Sequence, residues 1–103
     1  FISELTAFEL KYGAENSLNP EKSHKAVNNF LNGIKILPIS EIGDKYAKIK
    51  VKLRKQGTPI HDEFDLMIGV TALFYNLTLV TDNIKDFRFI ENLEVENWFD
   101  RTY

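Results

Sequence analysis

The chain has 103 residues, of which 44% are hydrophobic, so it is long enough for one domain with a core of its own. It has no cysteine, which excludes a disulfide framework and thiolate zinc sites and is compatible with a reducing cytoplasm. The net charge of −2 excludes a global basic footprint for nucleic acid, and no apolar stretch reaches the roughly 18 residues that a membrane span needs.

The first half of the chain predicts two helices and a short strand. Ser3 is suited to cap the first helix, because its hydroxyl can accept a hydrogen bond from a backbone N–H of the first turn. Asn19-Pro20 starts the second helix, with the proline in the first turn. The predicted elements are a helix from Ser3 to about Tyr12, a helix from Pro20 to about Asn32, and a strand over residues 34–39.

The second half predicts two longer helices, two strands and a short element between the strands. Ser40 is the expected cap of the first helix, whose apolar stripe comprises Ile42, Tyr46, Ile49 and Leu53. The predicted elements are helices from Glu41 to about Gln56 and from Asp62 or Glu63 to near Asn76, a strand over residues 77–81, a short element from Asp86, and a last strand over residues 93–96.

Helices that alternate with short hydrophobic strands predict an α/β sandwich with a parallel sheet. In such sheets, ligands bind beyond the carboxyl ends of the strands. Thr81, Asp82 and Asn83 lie at one such end. This turn is therefore a natural position for part of a functional site.

Asp65 is the only charged residue in the otherwise apolar run 64–75, which predicts a helix buried on nearly every side. Carboxylates are rarely buried without a partner, because burial without a cation or hydrogen bonds is unfavourable. A simpler explanation is that Asp65 favours the positive end of the helix dipole or pairs with Asp62 in capping. Asp65 becomes a candidate functional residue only together with other acidic residues.

Three further acidic residues complete a candidate site with Asp65. Glu9 lies beside the apolar stripe of the first helix, and Asp82 and Asp86 flank the exit from a core strand. Carboxylates that converge on one pocket repel one another unless they share a hard divalent cation, and Mg²⁺ and Mn²⁺ prefer such oxygen ligands. The alternatives are an exposed helical glutamate for Glu9, a turn residue for Asp82 and a helix cap for Asp86.

At these residues the sequence resembles the VapC-type PIN-domain ribonucleases, the toxin halves of type II toxin–antitoxin pairs. Three segments carry the resemblance in the family's order, and the resemblance as a whole covers almost all of the chain. They are residues 6–15 with Glu9 in the acidic position, residues 57–69 with Asp65 as the central aspartate, and residues 79–87 with Asp86 in the last acidic position. Leu93 to Trp98 resembles the family's closing strand.

The resemblance implies a single PIN-like domain over residues 1–103, folded as a three-layer α/β/α sandwich with a short parallel sheet. It implies an endoribonuclease that cuts structured, tRNA-like RNA with Mg²⁺ or Mn²⁺. Glu9, Asp65 and Asp86 would be its catalytic and metal-binding residues, and Thr81, Asp82 and Asn83 would support them. It also implies a cognate antitoxin, a homodimer, DNA contact only through the antitoxin, and a cytoplasmic location.

One departure from the family leaves a second function open. Family members begin with a strand that carries an Asp-Thr-Asn motif, whose aspartate is a metal ligand, and no such motif occurs in these residues. We expect it in a missing N-terminal segment. Without that carboxylate, the alternative is a catalytically incomplete, nuclease-derived binding module. A receiver-like domain with Asp82 as phosphoacceptor fits poorly, since the early acidic pair and late lysine of such domains are not evident.

The helix predicted over residues 41–56 carries lysines on one face, beside its apolar stripe. They are Lys45, Lys48, Lys52 and Lys55, and Lys50 and Arg54 add charge elsewhere on the helix. Such a row is either a solvated helix face or a strip that contacts RNA phosphates. The sequence supports both interpretations about equally.

Overall fold

In a computed structural model that describes residues 1–97, the chain folds as two compact units, Phe1–Ile39 and a second unit that begins at Ser40. Each unit contains helices and one pair of short parallel strands. The predicted α/β class with short parallel strands is confirmed. The predicted closing segment reaches Trp98, which lies outside the described residues.

The first unit is a strand, two helices and a second strand. Its elements are β1 (Ile2–Ser3), α1 (Glu4–Glu15), α2 (Pro20–Asn32) and β2 (Ile36–Leu37). Ile2 pairs with Ile36 and Ser3 with Leu37 in parallel register. The Ser3 hydroxyl accepts a hydrogen bond from the backbone N–H of Leu5 (3.1 Å) and caps α1, as predicted.

Helix α1 is longer, and strand β2 shorter, than the sequence predicted. The helix continues through Gly13 to Glu15 because Ala14 is buried and holds the last turn in place. The strand predicted over residues 34–39 keeps only the two residues that pair with β1. The predicted bounds of α2 are confirmed, with the Asn19 side chain accepting a hydrogen bond from the N–H of Lys22.

The second unit holds three helices and two strands among its described residues. They are α3 (Gly43–Lys55), α4 (Glu63–Phe74), β3 (Leu79–Val80), α5 (Ile84–Phe87) and β4 (Val95–Glu96). Leu79 pairs with Val95 and Val80 with Glu96, again in parallel. The short helix α5 begins two residues before the predicted Asp86.

The predicted Ser40 cap of α3 is wrong. The helix begins at Gly43, and Ile42 occupies the N-cap position without a side-chain hydrogen bond. Ile42 is 4% exposed, so burial of this apolar side chain, rather than a polar cap, fixes the start. The predicted apolar stripe of α3 is confirmed, since Ile42 and Leu53 are buried and Tyr46 and Ile49 are half-buried.

Helices α3 and α4 end in the same way, each with a residue in the left-handed conformation. These residues are Gly57 (φ 75°) and Asn76 (φ 56°). After α3 the N–H of Thr58 donates to the carbonyl of Leu53, and after α4 the N–H of Leu77 donates to that of Ala72. At each helix end, this hydrogen bond satisfies a carbonyl group that the helix itself leaves without a partner.

Helix α4 forms the centre of the second unit's core. Leu66, Val70 and Thr71 are each at most 1% exposed, which confirms the burial predicted for the middle of the helix, whereas Phe64 in its first turn is 41% exposed. Thr71 is accommodated because its hydroxyl donates to the carbonyl of Met67 (2.7 Å). None of the helices in residues 1–97 combines the length and apolarity that a membrane crossing requires.

Candidate active site

Asp65 lies in the first turn of α4 and is half-buried. The helix begins here because the Asp62 carboxylate accepts hydrogen bonds from the backbone N–H groups of Phe64 (2.9 Å) and Asp65 (3.2 Å). The side chain of Asp62 therefore caps the helix. Capping does not explain why the sequence has a carboxylate at Asp65.

Asp86 lies on α5, just beyond the carboxyl end of β3, which is where a parallel sheet places ligand-binding residues. The turn that leads there is ordered by its own polar groups. The Thr81 hydroxyl accepts from the backbone N–H of Asn83 (3.1 Å), and the Asn83 side-chain amide donates to the Asp86 carboxylate. Asp82, between them, is exposed. This turn holds the Asp86 carboxylate in one orientation.

Helices α4 and α5 touch each other next to these two aspartates. Gly69 lies one helical turn after Asp65, and Phe87 directly follows Asp86. A Cβ atom placed on Gly69 would lie 3.1 Å from Cδ1 of Phe87 and 2.9 Å from Cδ1 of Ile90. The absence of a side chain at Gly69 therefore allows the two helices that carry Asp65 and Asp86 to pack closely.

Glu9 lies in the middle of α1, with its side chain exposed. The buried Leu5, one turn earlier, anchors that part of the helix. Glu9 belongs to the first unit, whereas Asp65 and Asp86 belong to the second. The convergence of all three carboxylates therefore stays a prediction.

The donor atoms match the cation that the sequence predicts. Carboxylate oxygens are the ligands that Mg²⁺ and Mn²⁺ prefer, and Asp86 is already oriented by a neighbouring amide. Among the side chains of residues 1–97, no three His, Cys, Asp or Glu residues are grouped closely enough to hold a metal ion by themselves. Within the second unit, the candidate ligands are the pair Asp65 and Asp86.

A polar cluster at the start of α4 was not predicted from the sequence. Lys50 on α3 donates to the Glu63 carboxylate (2.7 Å) and to the Tyr46 hydroxyl (3.2 Å), and the Tyr46 hydroxyl also bonds Glu63. The Lys50 ammonium lies 5.5 Å from the centre of the Tyr46 ring. The spacing of Tyr46 and Lys50, one helical turn apart, signals a shared face, but Glu63 is added only by packing.

Comparison with known proteins places these residues in a family. Residues 1–92 match the family model described as "PIN domain". The match therefore includes all three candidate acidic residues and the turn that orients Asp86.

Individual relatives match over nearly the whole chain. The tRNA(fMet)-specific endonuclease VapC of Salmonella typhimurium is 34% identical over 94% of this chain and 74% of its own length. Ribonuclease VapC2 of Rickettsia felis is 36% identical over 94% of this chain and 72% of its own. The crystal structure of DNA-bound VapBC from Salmonella typhimurium superposes with a TM-score of 0.87 at 33% identity, covering 94% of this chain and 74% of that one.

Proposed function

This chain belongs to the PIN-domain family and is of the VapC type within it, and from that premise we propose that it is a metal-dependent endoribonuclease, the toxin of a toxin–antitoxin pair. The observation that carries the proposal is the placement of Asp65 and Asp86 on two helices in close contact. The match to relatives named ribonuclease and tRNA-specific endonuclease supports RNA, and tRNA-like RNA in particular, as the substrate.

In this proposal Glu9, Asp65 and Asp86 hold Mg²⁺ or Mn²⁺ through their carboxylate oxygens. The bound cation supplies the means to deprotonate an attacking water and to neutralise charge that develops on the phosphate. The Asn83 amide keeps the Asp86 carboxylate oriented, and Thr81 holds the backbone of that turn. Asp82 is exposed beside them and serves as a supporting polar residue.

The proposal extends to the partners of the chain. The solved relatives include VapBC complexes, some of them bound to DNA, which supports a cognate antitoxin for this chain. DNA contact only through that antitoxin is part of the proposal and is implied by the resemblance to VapC-type toxins. We also propose a homodimer and a cytoplasmic location, both implied by the resemblance to VapC-type toxins.

The first test is the substitution Asp65→Asn in the full-length protein. We expect cleavage of a labelled tRNA in Mn²⁺ to be abolished, because asparagine keeps the shape of the side chain but removes the charge that binds the cation. Thermal unfolding without metal should be unchanged or occur at a higher temperature, since one carboxylate is removed from an acidic site. If Asp65 is only a helix-dipole acid, cleavage stays normal and about 0.3–1 kcal/mol of stability is lost.

Asp62→Asn is the matched control, because it makes the same change in charge three residues earlier. Asparagine caps helices about as well as aspartate, so this variant should fold and cleave like the wild type. Retained cleavage in Asp65→Asn would contradict the catalytic assignment. RNA binding without any cleavage by the wild-type protein would instead favour the non-catalytic binding module.

A further inference from the structure

Helix α3 presents a row of exposed lysines that the candidate active site does not use. The row, called here the α3 lysine strip, consists of Lys45, Lys48, Lys52 and Lys55. At 3.6 residues per turn these positions fall within an arc of roughly 80° and extend over about 15 Å of the helix. Ala47 and Val51 form a small apolar floor beside it, and Val51 is 49% exposed.

The structure separates this strip from Lys50 on the same helix. Lys50 points to the opposite side, where it pairs with Glu63 and lies against Tyr46. Its charge is therefore used to hold α3 against α4. The four strip lysines lie away from that contact and are exposed to solvent.

Within the described part of the chain, the strip has one acidic partner. Lys52 forms an ion pair with Glu91, and the Lys52 ammonium lowers the pKa of that carboxyl below its ordinary value of 4.5 through a hydrogen bond and charge attraction. Among residues 1–97, no carboxylate lies within 4 Å of the ammonium groups of Lys45, Lys48 or Lys55. In a chain with a net charge of −2, this is a local concentration of uncompensated positive charge.

We propose that the α3 lysine strip docks the phosphate backbone of the RNA substrate. The inference rests on the proposed nuclease function and adds to it a surface outside the candidate metal site. Lysine is a flexible point charge, suited to contact phosphates without reading base sequence. A protein partner fits less well, since protein interfaces are depleted in lysine and the apolar floor is only two small side chains wide.

Glu91 competes with phosphate for Lys52 in this arrangement. The Glu91 side chain is 68% exposed and that of Lys52 is 52% exposed, so the pair is accessible to an incoming phosphate. Docking of RNA exchanges the Glu91 carboxylate for a phosphate oxygen at Lys52. Removal of the Glu91 charge should therefore strengthen RNA binding, an effect that a merely solvated helix face does not predict.

The test measures binding of full-length protein to two labelled structured RNAs of unrelated sequence, in EDTA and over a range of KCl concentrations. Each strip lysine is changed singly to glutamine, which has a similar helix propensity. Each change should lower the salt slope by about 0.7–0.9, which corresponds to binding about five- to eightfold weaker at 0.1 M salt. The loss should be the same for both RNAs, because phosphates carry no sequence information.

Two controls accompany the series. Lys50→Gln removes the same charge from the other side of α3 and should leave the salt slope unchanged while lowering the unfolding temperature. Glu91→Gln should bind RNA more tightly than wild type, whereas Glu21→Gln, an exposed change on α2, should not.

Unchanged salt slopes in the strip variants would overturn the inference, as would an equal loss in Lys50→Gln. Loss of antitoxin binding with intact RNA binding would overturn it as well and mark the strip as a protein interface. Cleavage of RNA by the wild type in Mn²⁺ is measured in parallel. If the wild type cleaves RNA but the strip variants bind RNA as it does, the role of the strip is refuted and the nuclease function is not. If RNA binding depends on the strip lysines but the wild type does not cleave, the nuclease function is refuted and the role of the strip is not.

Discussion

At the scale of single residues, charge placement distinguishes side chains that the sequence presents as equivalent. Lys50 and Lys52 are two residues apart on one helix, yet Lys50 pairs with Glu63 across a helix contact and Lys52 with the exposed Glu91. Asp62 and Asp65 are three apart, yet only Asp62 caps the helix. The role of each charged side chain depends on its partner, and the residue type does not reveal that partner.

The pair Lys52–Glu91 gives a prediction in pH. Lys52→Gln should raise the pKa of Glu91 toward its ordinary value of 4.5, because the hydrogen bond and the positive charge that lower it are both removed. Because the pKa of Glu91 is lowered in the folded protein, the ion pair adds to the free energy of unfolding above pH 4.5. This contribution is lost as the pH falls through the lower pKa of the folded state. NMR titration of the Glu91 side chain in both proteins measures the shift. Identical titration curves would show that the ion pair does not form in solution.

At the scale of elements, the contact between α4 and α5 depends on Gly69. Alanine there would place its Cβ within 3.2 Å of three side-chain atoms of Phe87 and Ile90. Overpacking costs about 1–3 kcal/mol and the better helix propensity of alanine offsets about 1 kcal/mol, so Gly69→Ala should lose up to about 2 kcal/mol. Denaturant unfolding measures the change.

Gly13→Ala is the control for this comparison, because it is also a helical glycine but has no atom within 4 Å of the new Cβ. It should gain about 0.5–1 kcal/mol. Equal stabilisation by both substitutions would mean that α5 can move away from α4 at no cost. The close packing beside Asp65 and Asp86 would then have no energetic basis.

At the scale of the whole molecule, a cation held by carboxylates of the native state must stabilise that state. Saturating Mn²⁺ at 100 times its dissociation constant adds about 2.7 kcal/mol to the free energy of unfolding. We expect this increase in full-length wild-type protein and its loss in Asp86→Asn, measured by thermal unfolding with and without Mn²⁺. Asp44→Asn, the same change in the first turn of α3, should keep the full increase. A metal effect that survives in Asp86→Asn would exclude this residue as a ligand.

The sequence by itself determined the order and type of α1 to α4 and of β2 to β4, and the acidic candidates, because these depend on neighbours along the chain. The Ser3 cap, the helix start at Asn19-Pro20 and the run of apolar residues in α4 are local signals, and they were interpreted correctly. The motifs around Glu9, Asp65 and Asp86 likewise identified the family that the comparisons show. Their roles as ligands and the convergence of the three remain predictions.

Tertiary structure alone decided the features that depend on distant partners. The strands are only two residues long, shorter than predicted, because a strand extends only as far as its neighbour pairs with it. Helix α3 begins at Gly43 rather than at the predicted Glu41 because the buried Ile42, not a polar cap at Ser40, fixes its first turn. The division of the α3 cations arose in the same way, since Glu63 and Glu91 reach the helix from later parts of the chain, and no local pattern encodes that contact.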